Sequence, residues 1–328
     1  MGQNCASERQ HTVTGVQEAE VIAGMPRAPS LAVLEPRRGS IRAALVTVRP
    51  RQWIKNLLVV AAAGAAGALG HDDVPVRVGL TCLAFCLIAG GIYCINDVRD
   101  AGEDRHHPRK RYRPVAAGEL DARVATALGA VLMAVGLAMC VFVRPLVAVV
   151  AVGYVALTLS YTLIWRHLLI LDIVAIAGGF VLRAVAGGAA APVALSRWFV
   201  LVVTCAAVFV AAGKRQAELR RTAAQASGAG RRVLRGYSEL LLRAILAVSG
   251  MVAVFAYCVW AFELPAVHGI PWRPLTIIPF AACILRYDVL LRAGDGEAPE
   301  DLLLKDRLLA LAGVAWLALF ALGVHAAS

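Results

Sequence analysis

Three carboxylates and an amide stand at helical spacing in NDVRDAGEDRHHPRKRYRP, residues 96–114. A helix would place Asp97, Asp100 and Asp104 (i, i+3, i+7) on one face. Carboxylates on one face repel each other unless a cation lies among them, and such hard oxygen ligands suit Mg²⁺. The pattern predicts a magnesium site with the three aspartates as catalytic residues and with four candidate ligands: Asn96, Asp97, Asp100 and Asp104. The structural alternative is a polar helix end whose acids pair with nearby cations: Arg99, Arg105 and Arg109.

Cations follow the acids directly, in the run from Arg109 to Arg113. Guanidinium forks and ammonium groups beside a metal site hold phosphate oxygens. A simple excess of cations on one side of a membrane accounts for part of the run. A second charged motif, GKRQAE at 213–218, holds Lys214 and Glu218, which could form an ordinary i, i+4 pair. The two motifs follow the second and the sixth apolar runs of the chain, so both lie on the same face of the membrane. We therefore expect them to be two halves of one pocket.

The elements that must position these residues are membrane helices. Of the 328 residues, 59% are hydrophobic and 17% charged, whereas soluble domains average about 25% charged residues. Apolar runs near the ~20 residues needed to cross a bilayer recur, and backbone in lipid must be helical. The sequence predicts an all-α polytopic protein, a single bundle of about nine transmembrane helices: Leu57–Leu69, Val78–Ile95, Ala122–Val143, Pro145–Trp165, Leu168–Ala190, Trp198–Gly213, Leu240–Phe262, Leu275–Leu291 and Leu308–Ala327.

The N-terminal segment differs from the rest of the chain. Residues 1–40 are rich in polar residues, Pro and Arg without periodicity, which predicts a disordered cytoplasmic tail before a transmembrane catalytic domain at 41–328. Ile41, Ala44, Leu45 and Val48 recur at i, i+3, i+4 and i+7, which is typical of a short interfacial helix, although a plain lead-in turn also fits.

The net charge of +11 comes from cations that gather in alternate loops. By the positive-inside rule these loops are cytoplasmic, so both charged motifs face the cytoplasm and the C-terminus is external. The bias indicates an inner (plasma) membrane protein and accounts for the charge without nucleic acid.

Three further charged residues stand at or inside predicted spans. Lys55, in RPRQWIKN (49–56), begins the first span, where an interfacial anchor is the plain alternative. Asp172 and Arg183 lie in the fifth span on nearly the same face. Charges at membrane depth are costly and usually functional, with structural pairing to other helices as the competing interpretation.

Taken together, these motifs resemble the UbiA superfamily of membrane prenyltransferases. The resemblance runs from about Arg49 to the last span and rests on the NDxxDxxxD pattern and the charged motif after the sixth span. Within the superfamily the chain is most similar to the decaprenyl-phosphate phosphoribosyltransferase branch, through RPRQWIKN, INDVRDAGEDRHHPRKRYRP, RAVAGG (183–188), AGKRQAEL (212–219) and PEDLLLKDR (299–307). Where that branch has a lysine before the histidine of the fourth loop, this chain has Arg166.

The resemblance implies a Mg²⁺-dependent transfer from 5-phosphoribosyl 1-diphosphate to a polyprenyl (decaprenyl) phosphate, with release of diphosphate. This reaction belongs to decaprenyl-phosphoryl-arabinose and cell-wall arabinan synthesis. Homo-oligomer formation is left open. The substrate-binding residues that follow from it are Lys55, Tyr93, Lys110, Arg111 and Arg113 for the donor, with Tyr161, Arg166, Arg183, Lys214, Arg215 and Glu218 for the remainder of the site.

Two alternatives stay open on the sequence. One is a UbiA-type prenyltransferase that uses a prenyl diphosphate and an aromatic acceptor; members of that kind usually carry a second Asp-rich motif where this chain has Lys214, Arg215 and Glu218. The other is a small polytopic transporter, for which internal repeats and broken midplane helices are typical.

Overall fold

The computed structural model describes residues 41–71, 73–165, 168, 170–224, 238–263, 270–294, 302 and 305–327. In these ranges every regular element is a helix, which confirms the all-α prediction. The predicted tail at 1–40 lies outside the described residues.

Eight helices in the described ranges are long and apolar enough to cross a membrane. Apolar side chains such as Phe142 and Leu311 cover their outer surfaces. The long helices are α3 (Val74–Arg105), α4 (Ala122–Val143), α5 (Pro145–Ser160), α6 (Leu171–Ala190), α7 (Arg197–Ala224), α8 (Glu239–Phe262), α9 (Ile277–Arg292) and α10 (Arg307–Ala327). A π-helical segment, Tyr161–Trp165, continues α5, and a one-turn helix, Trp272–Leu275, precedes α9.

The predicted first span, Leu57–Leu69, is not one continuous helix, so this part of the prediction is wrong. The chain forms α1 (Ile41–Val48), a 3₁₀ helix (Pro50–Leu57) and α2 (Leu58–Ala65). At about 1.5 Å per residue, α2 reaches only part of the way across ~30 Å of hydrocarbon. It ends because Gly67 adopts φ 68°, the left-handed conformation that terminates helices.

Small residues let the helices of the core approach closely. A Cβ on Gly187 of α6 would lie 1.8 Å from the carbonyl oxygen of Val59 in α2. A Cβ on Gly91 of α3 would lie 2.5 Å from the carbonyl oxygen of Gly129 in α4. Such small-residue contacts are how membrane helices pack without a hydrophobic driving force. They hold α2 against α6, and α4 against α3, the helix that carries the acidic motif.

Candidate functional site

The acidic residues of α3 form a cluster tied together by arginines. Asp97 and Asp104 are 2% and 3% exposed, and Asp100 is half-buried. Arg49 Nη2 donates to Asp97 Oδ1 at 2.5 Å, and Arg113 Nη1 donates to Asp104 Oδ2 at 2.7 Å. Arg113 Nη1 also lies 3.4 Å from Asp97 Oδ1. The i, i+3, i+7 spacing therefore places two carboxylates around one guanidinium.

Two of the three cations predicted to neutralise these acids by simple pairing, Arg99 and Arg105, donate to carbonyl oxygens instead. Arg99 Nη2 donates to the carbonyl oxygen of Leu163 at 3.1 Å, and Arg105 Nε donates to that of Ala116 at 3.3 Å. The partners seen are Arg49 and Arg113, which come from different segments of the chain.

Arg49 lies in this acidic cluster, although it was not among the residues predicted from the sequence. It joins α1 to the 3₁₀ helix at φ 57°, a conformation that costs energy for a residue with a side chain. Its guanidinium lies 5.1 Å from the ring centroid of Tyr93, in cation–π range. The available signal was its place at the start of RPRQWIKN, the same motif that holds Lys55.

The oxygen atoms around Asp97 fit a hard cation. Asn96 Oδ1 is buried without a hydrogen-bond partner among the described residues, and such an oxygen is costly unless it coordinates something. No three His, Cys, Asp or Glu side chains in the described ranges are grouped as a complete metal site. Mg²⁺ is usually held by one or two carboxylates together with substrate phosphates. Asn96, Asp97, Asp100 and Asp104 are the residues that would hold it.

Two predicted donor-binding residues meet at a glutamine. Lys55 Nζ donates to Gln52 Oε1 at 2.8 Å, and the Tyr93 hydroxyl donates to the same oxygen at 3.2 Å. Because Tyr93 also lies under Arg49, the 3₁₀ helix brings Lys55 to the side of the acidic cluster.

The loop after α3 presents its cations in a short 3₁₀ turn, Lys110–Tyr112. His107 Nδ1 accepts hydrogen bonds from the backbone N–H groups of Arg109 and Lys110, at 3.2 and 3.3 Å. Partial burial, and then the charge of Lys110, lower the pKa of His107, which keeps it neutral and able to accept. Arg111 is exposed and donates to the Tyr112 hydroxyl at 2.6 Å. His107 therefore organises the turn that carries the predicted phosphate-binding cations.

A second charged cluster surrounds Arg215 on α7. Arg215 is 1% exposed, and it donates to both carboxylate oxygens of Asp172 and to Glu218. The Tyr161 hydroxyl donates to Asp172 Oδ1 at 2.5 Å. The predicted residues Tyr161 and Glu218 thus meet at Arg215, together with Asp172, whose role the sequence left open.

Asp172 and Arg183 do not pair with each other, although both lie on α6. Arg183 Nε donates to Asn56 Oδ1 at 2.7 Å, and its Nη2 donates to the Tyr154 hydroxyl at 2.7 Å. Its Nη1 donates to the Gly179 carbonyl oxygen at 2.8 Å. Asp172 and Arg183 each have partners on other helices. This is the structural pairing given above as the alternative to a functional role.

The two charged clusters are linked by the π-helical segment after α5. Leu163 accepts from Arg99 of α3, and Tyr161 of the same segment donates to Asp172. Lys214 is half-buried beside Arg215, and Arg166 lies outside the described residues. Whether both clusters line one pocket stays a prediction.

A cavity of about 970 Å³ lies between α2, α7, α8 and α10. The described residues that line it, such as Leu58, Val210, Trp260 and Phe320, are apolar or aromatic apart from the Tyr257 hydroxyl. None of the charged side chains of the two clusters lines it. The cavity suits a hydrocarbon chain better than a polar substrate.

The PEDLLLKDR motif ends in a contact between α9 and α10. Arg286 donates to both carboxylate oxygens of Asp306, at 3.0 and 2.7 Å, and the Leu309 N–H donates to Asp306 Oδ1 at 2.8 Å. These contacts, first the one from Arg286, hold the pKa of Asp306 at about 2. Asp306 therefore joins two helices and caps α10, a structural role.

Comparison with known proteins gives a consistent result. Residues 57–312 match the UbiA prenyltransferase family. The chain is 39% identical over 295 residues to the decaprenyl-phosphate phosphoribosyltransferase of Mycolicibacterium smegmatis, covering 86% of this chain and 92% of that protein. It is 36% identical to the enzyme of the same name from Corynebacterium glutamicum, covering 89% of each chain. It is 38% identical to that of Mycobacterium tuberculosis, covering 87% of this chain and 95% of the relative.

Solved structures share the fold at low sequence identity. A UbiA homologue from Archaeoglobus fulgidus bound to GPP and Mg²⁺ superimposes with a TM-score of 0.66 at 17% identity, covering 87% of this chain and 99% of that one. The apo structure of a UbiA homologue from Aeropyrum pernix K1 gives a TM-score of 0.62 at 18% identity, covering 82% and 98%.

Proposed function

Because the chain belongs to the UbiA prenyltransferase family, we propose that it transfers the 5-phosphoribosyl group of 5-phosphoribosyl 1-diphosphate to a polyprenyl phosphate. Three relatives at 36–39% identity over nearly the whole chain are decaprenyl-phosphate phosphoribosyltransferases. We place the reaction in the supply of decaprenyl-phosphoryl-arabinose for cell-wall arabinan, as the resemblance implies.

The observation that carries the choice of donor is the cluster on α7. The resemblance implies that aromatic prenyltransferases carry a second Asp-rich motif at this point. Here a buried cation, Arg215, occupies the position between Asp172 and Glu218. This part of the described structure has no set of carboxylates that could form a second metal–aspartate cluster for a prenyl diphosphate. The aromatic prenyltransferase alternative is therefore less well supported.

The acidic end of α3 is the proposed donor site. Mg²⁺ held by Asn96, Asp97, Asp100 or Asp104 would neutralise charge on the diphosphate as it leaves. Arg49 and Arg113 pair with the buried carboxylates Asp97 and Asp104 and hold them in place, so their oxygen atoms are preorganised.

The cations around this site bind and orient the donor. Lys55 and Tyr93, fixed through Gln52, and Lys110, Arg111 and Arg113 of the following loop hold the phosphates. Holding them fixes the ribose near in-line geometry for displacement at C1. Their fixed positive charge stabilises the diphosphate more strongly as negative charge grows on it.

The transfer is a substitution at the ribose C1. The C1–O bond to diphosphate breaks with its electron pair going to the leaving group, and a lipid phosphate oxygen forms the new C1–O bond from the opposite face. The lipid phosphate is already ionised at neutral pH, so no general base is required. The products are polyprenyl phosphoryl-5-phosphoribose and diphosphate, and the charges balance without a proton.

The acceptor is proposed to lie between the second cluster and the apolar cavity. The polyprenyl tail occupies the cavity between α2, α7, α8 and α10, because the apolar lining of this cavity suits a hydrocarbon chain. Lys214 and Arg166 receive the lipid phosphate. Arg215, buried and already bound to two carboxylates, fits a positioning role for Tyr161 and Glu218 better than direct contact with substrate.

Incubation of purified protein with labelled 5-phosphoribosyl 1-diphosphate and polyprenyl phosphate tests the proposal. We expect label in a lipid product and release of diphosphate, with both dependent on Mg²⁺. Transfer of label from a prenyl diphosphate to an aromatic acceptor at a comparable rate would instead support the prenyltransferase alternative. Substrate uptake into vesicles without any product would support the transporter.

A further inference from the structure

A second cavity, of about 850 Å³, lies between α7, α8 and α9, and the described residues that line it include none of the charged side chains of the two clusters. We call it the α8–α9 groove. Phe209 of α7 forms its floor and packs closely against Gly250 of α8, while the small, exposed side chain of Ala247 leaves the space above open. Its volume lies in the range typical of small-molecule sites, roughly 300–1,000 Å³.

The walls of the groove face the bilayer. Met251 and Phe255 of α8 and Leu285 of α9 are 65%, 64% and 67% exposed. An apolar gap open to lipid does not stay empty, since its lining would lose dispersion contacts on one side. Hydrocarbon chains are therefore its natural contents.

One end of the groove is basic. Arg220, Arg243 and Arg292 line it where α7 ends, α8 begins and α9 ends, which is a single membrane face. Arg220 and Arg243 share Glu239, and Arg292 pairs with Asp288. Three guanidinium groups thus face two carboxylates, and the described part of this mouth keeps a net positive charge. Arg243 and Arg292 are 59% and 74% exposed at their side chains, so they have donors available to a further anion.

We propose that the α8–α9 groove binds an anionic bilayer phospholipid, with its acyl chains along Leu246, Met251 and Leu285 and its phosphate at Arg243 and Arg292. The charge at the mouth is complementary to the headgroup, and basic pockets between transmembrane helices at the headgroup level are known lipid sites. The lipid would also support α7, because Gln216, next to Arg215 in the chain, is buried against the groove. This site does not depend on the proposed reaction.

The test uses the purified full-length chain in nanodiscs of phosphatidylcholine, with or without phosphatidylglycerol. Native mass spectrometry counts bound lipid, and the thermal midpoint reports stabilisation. We expect phosphatidylglycerol to stay bound and to raise the midpoint of the wild type. Binding should weaken about fivefold for each arginine removed, on the order of 30-fold for Arg243→Gln with Arg292→Gln.

Two further variants separate headgroup from chain contacts. Arg123→Gln, an exposed arginine on the same membrane face at the start of α4, should bind phosphatidylglycerol as the wild type does. Ala247→Phe, which fills the groove, should lose the lipid although both arginines remain. Equal retention of phosphatidylcholine and phosphatidylglycerol, or unchanged retention in the double arginine variant, would overturn the proposal. So would displacement of the lipid by polyprenyl phosphate at equimolar amounts.

Discussion

Arg49 Nη2 lies 2.5 Å from Asp97 Oδ1, and 48 positions separate the two residues along the chain. The contact joins the segment before the first membrane helix to the acidic end of α3. It places a fixed cation at the carboxylate that is central to the proposed magnesium site. The geometry of that site therefore depends on a residue outside the aspartate motif.

Arg49→Gln should destabilise the protein, because it leaves Asp97 buried with only the longer contact to Arg113. Removing one partner of a buried pair costs on the order of 3 kcal/mol, visible as a lower thermal midpoint in detergent. Arg51→Gln, at an exposed neighbouring arginine, is the control and should leave the midpoint unchanged. Adding Asp97→Asn to Arg49→Gln should restore part of the stability but no activity; an additive loss in the double variant would contradict the pairing.

Asp100→Asn should lower kcat/KM about 100-fold and raise the Mg²⁺ concentration needed for half-maximal rate, since it removes one charge from the proposed ligand set. Asp100 is better suited to this test than Asp104. Asp104 is buried against Arg113, so its substitution would also lower stability. Glu103→Gln, on the exposed side of α3, is the matched control. Normal turnover and Mg²⁺ response in Asp100→Asn would remove this residue from the site.

Asp172→Asn should destabilise the protein by on the order of 3 kcal/mol, because Arg215 is 1% exposed and would lose a charged partner. A second substitution, Arg215→Gln, should recover part of the loss in a double-mutant cycle on the thermal midpoint. The pair of exposed Asp73 and partly buried Arg77 is the control, and Asp73→Asn should cost under about 1 kcal/mol. Equal effects of the two aspartate variants would show that Arg215 does not need Asp172.

Gly187→Ala should reduce folded yield and thermal midpoint, since its Cβ would meet the Val59 backbone oxygen at 1.8 Å. Helix α2 would have to move, and overpacking of this kind costs about 1–3 kcal/mol or more. Gly153→Ala, on α5, has nothing within 4 Å of the new Cβ and should be neutral or slightly stabilising. Comparing the two variants separates the effect of the close contact between α2 and α6 from the general effect of adding a methyl group. Similar midpoints for both variants would argue against this close contact.

The charge bias of the loops predicts that the acidic cluster faces the cytoplasm. In a background without the eight cysteines, a cysteine in place of Glu119, exposed in the loop between α3 and α4, should react with impermeant thiol reagents only after cells are opened. A cysteine in place of Ser196, exposed before α7 at the opposite end of the bundle, should react in intact cells. The reverse pattern would invert the topology and move the proposed site to the outside.

The sequence by itself determined the membrane helices and the spacing of the acids. Apolar length and the i, i+3, i+7 pattern are local properties, and in lipid the backbone has no alternative to helix over such lengths. For the same reason Asp97, Asp100 and Asp104 could be placed on one helix before their partners were known. The prediction of the first span was wrong because the ends of this helix depend on packing. Helix α2 is short because Gly67 turns the chain, and its Val59 packs against α6.

Only the tertiary structure decided which charges pair. Asp172 and Arg183 share a helix and a face, yet one binds Arg215 of α7 and the other binds Asn56 and Tyr154. Likewise Arg99 and Arg105 donate to carbonyl oxygens, whereas Arg49, from another segment of the chain, pairs with Asp97. These choices depend on which helices lie within hydrogen-bond reach and how deeply each charge is buried. Helix packing fixes both quantities, and spacing along the chain does not determine them for residues on different helices.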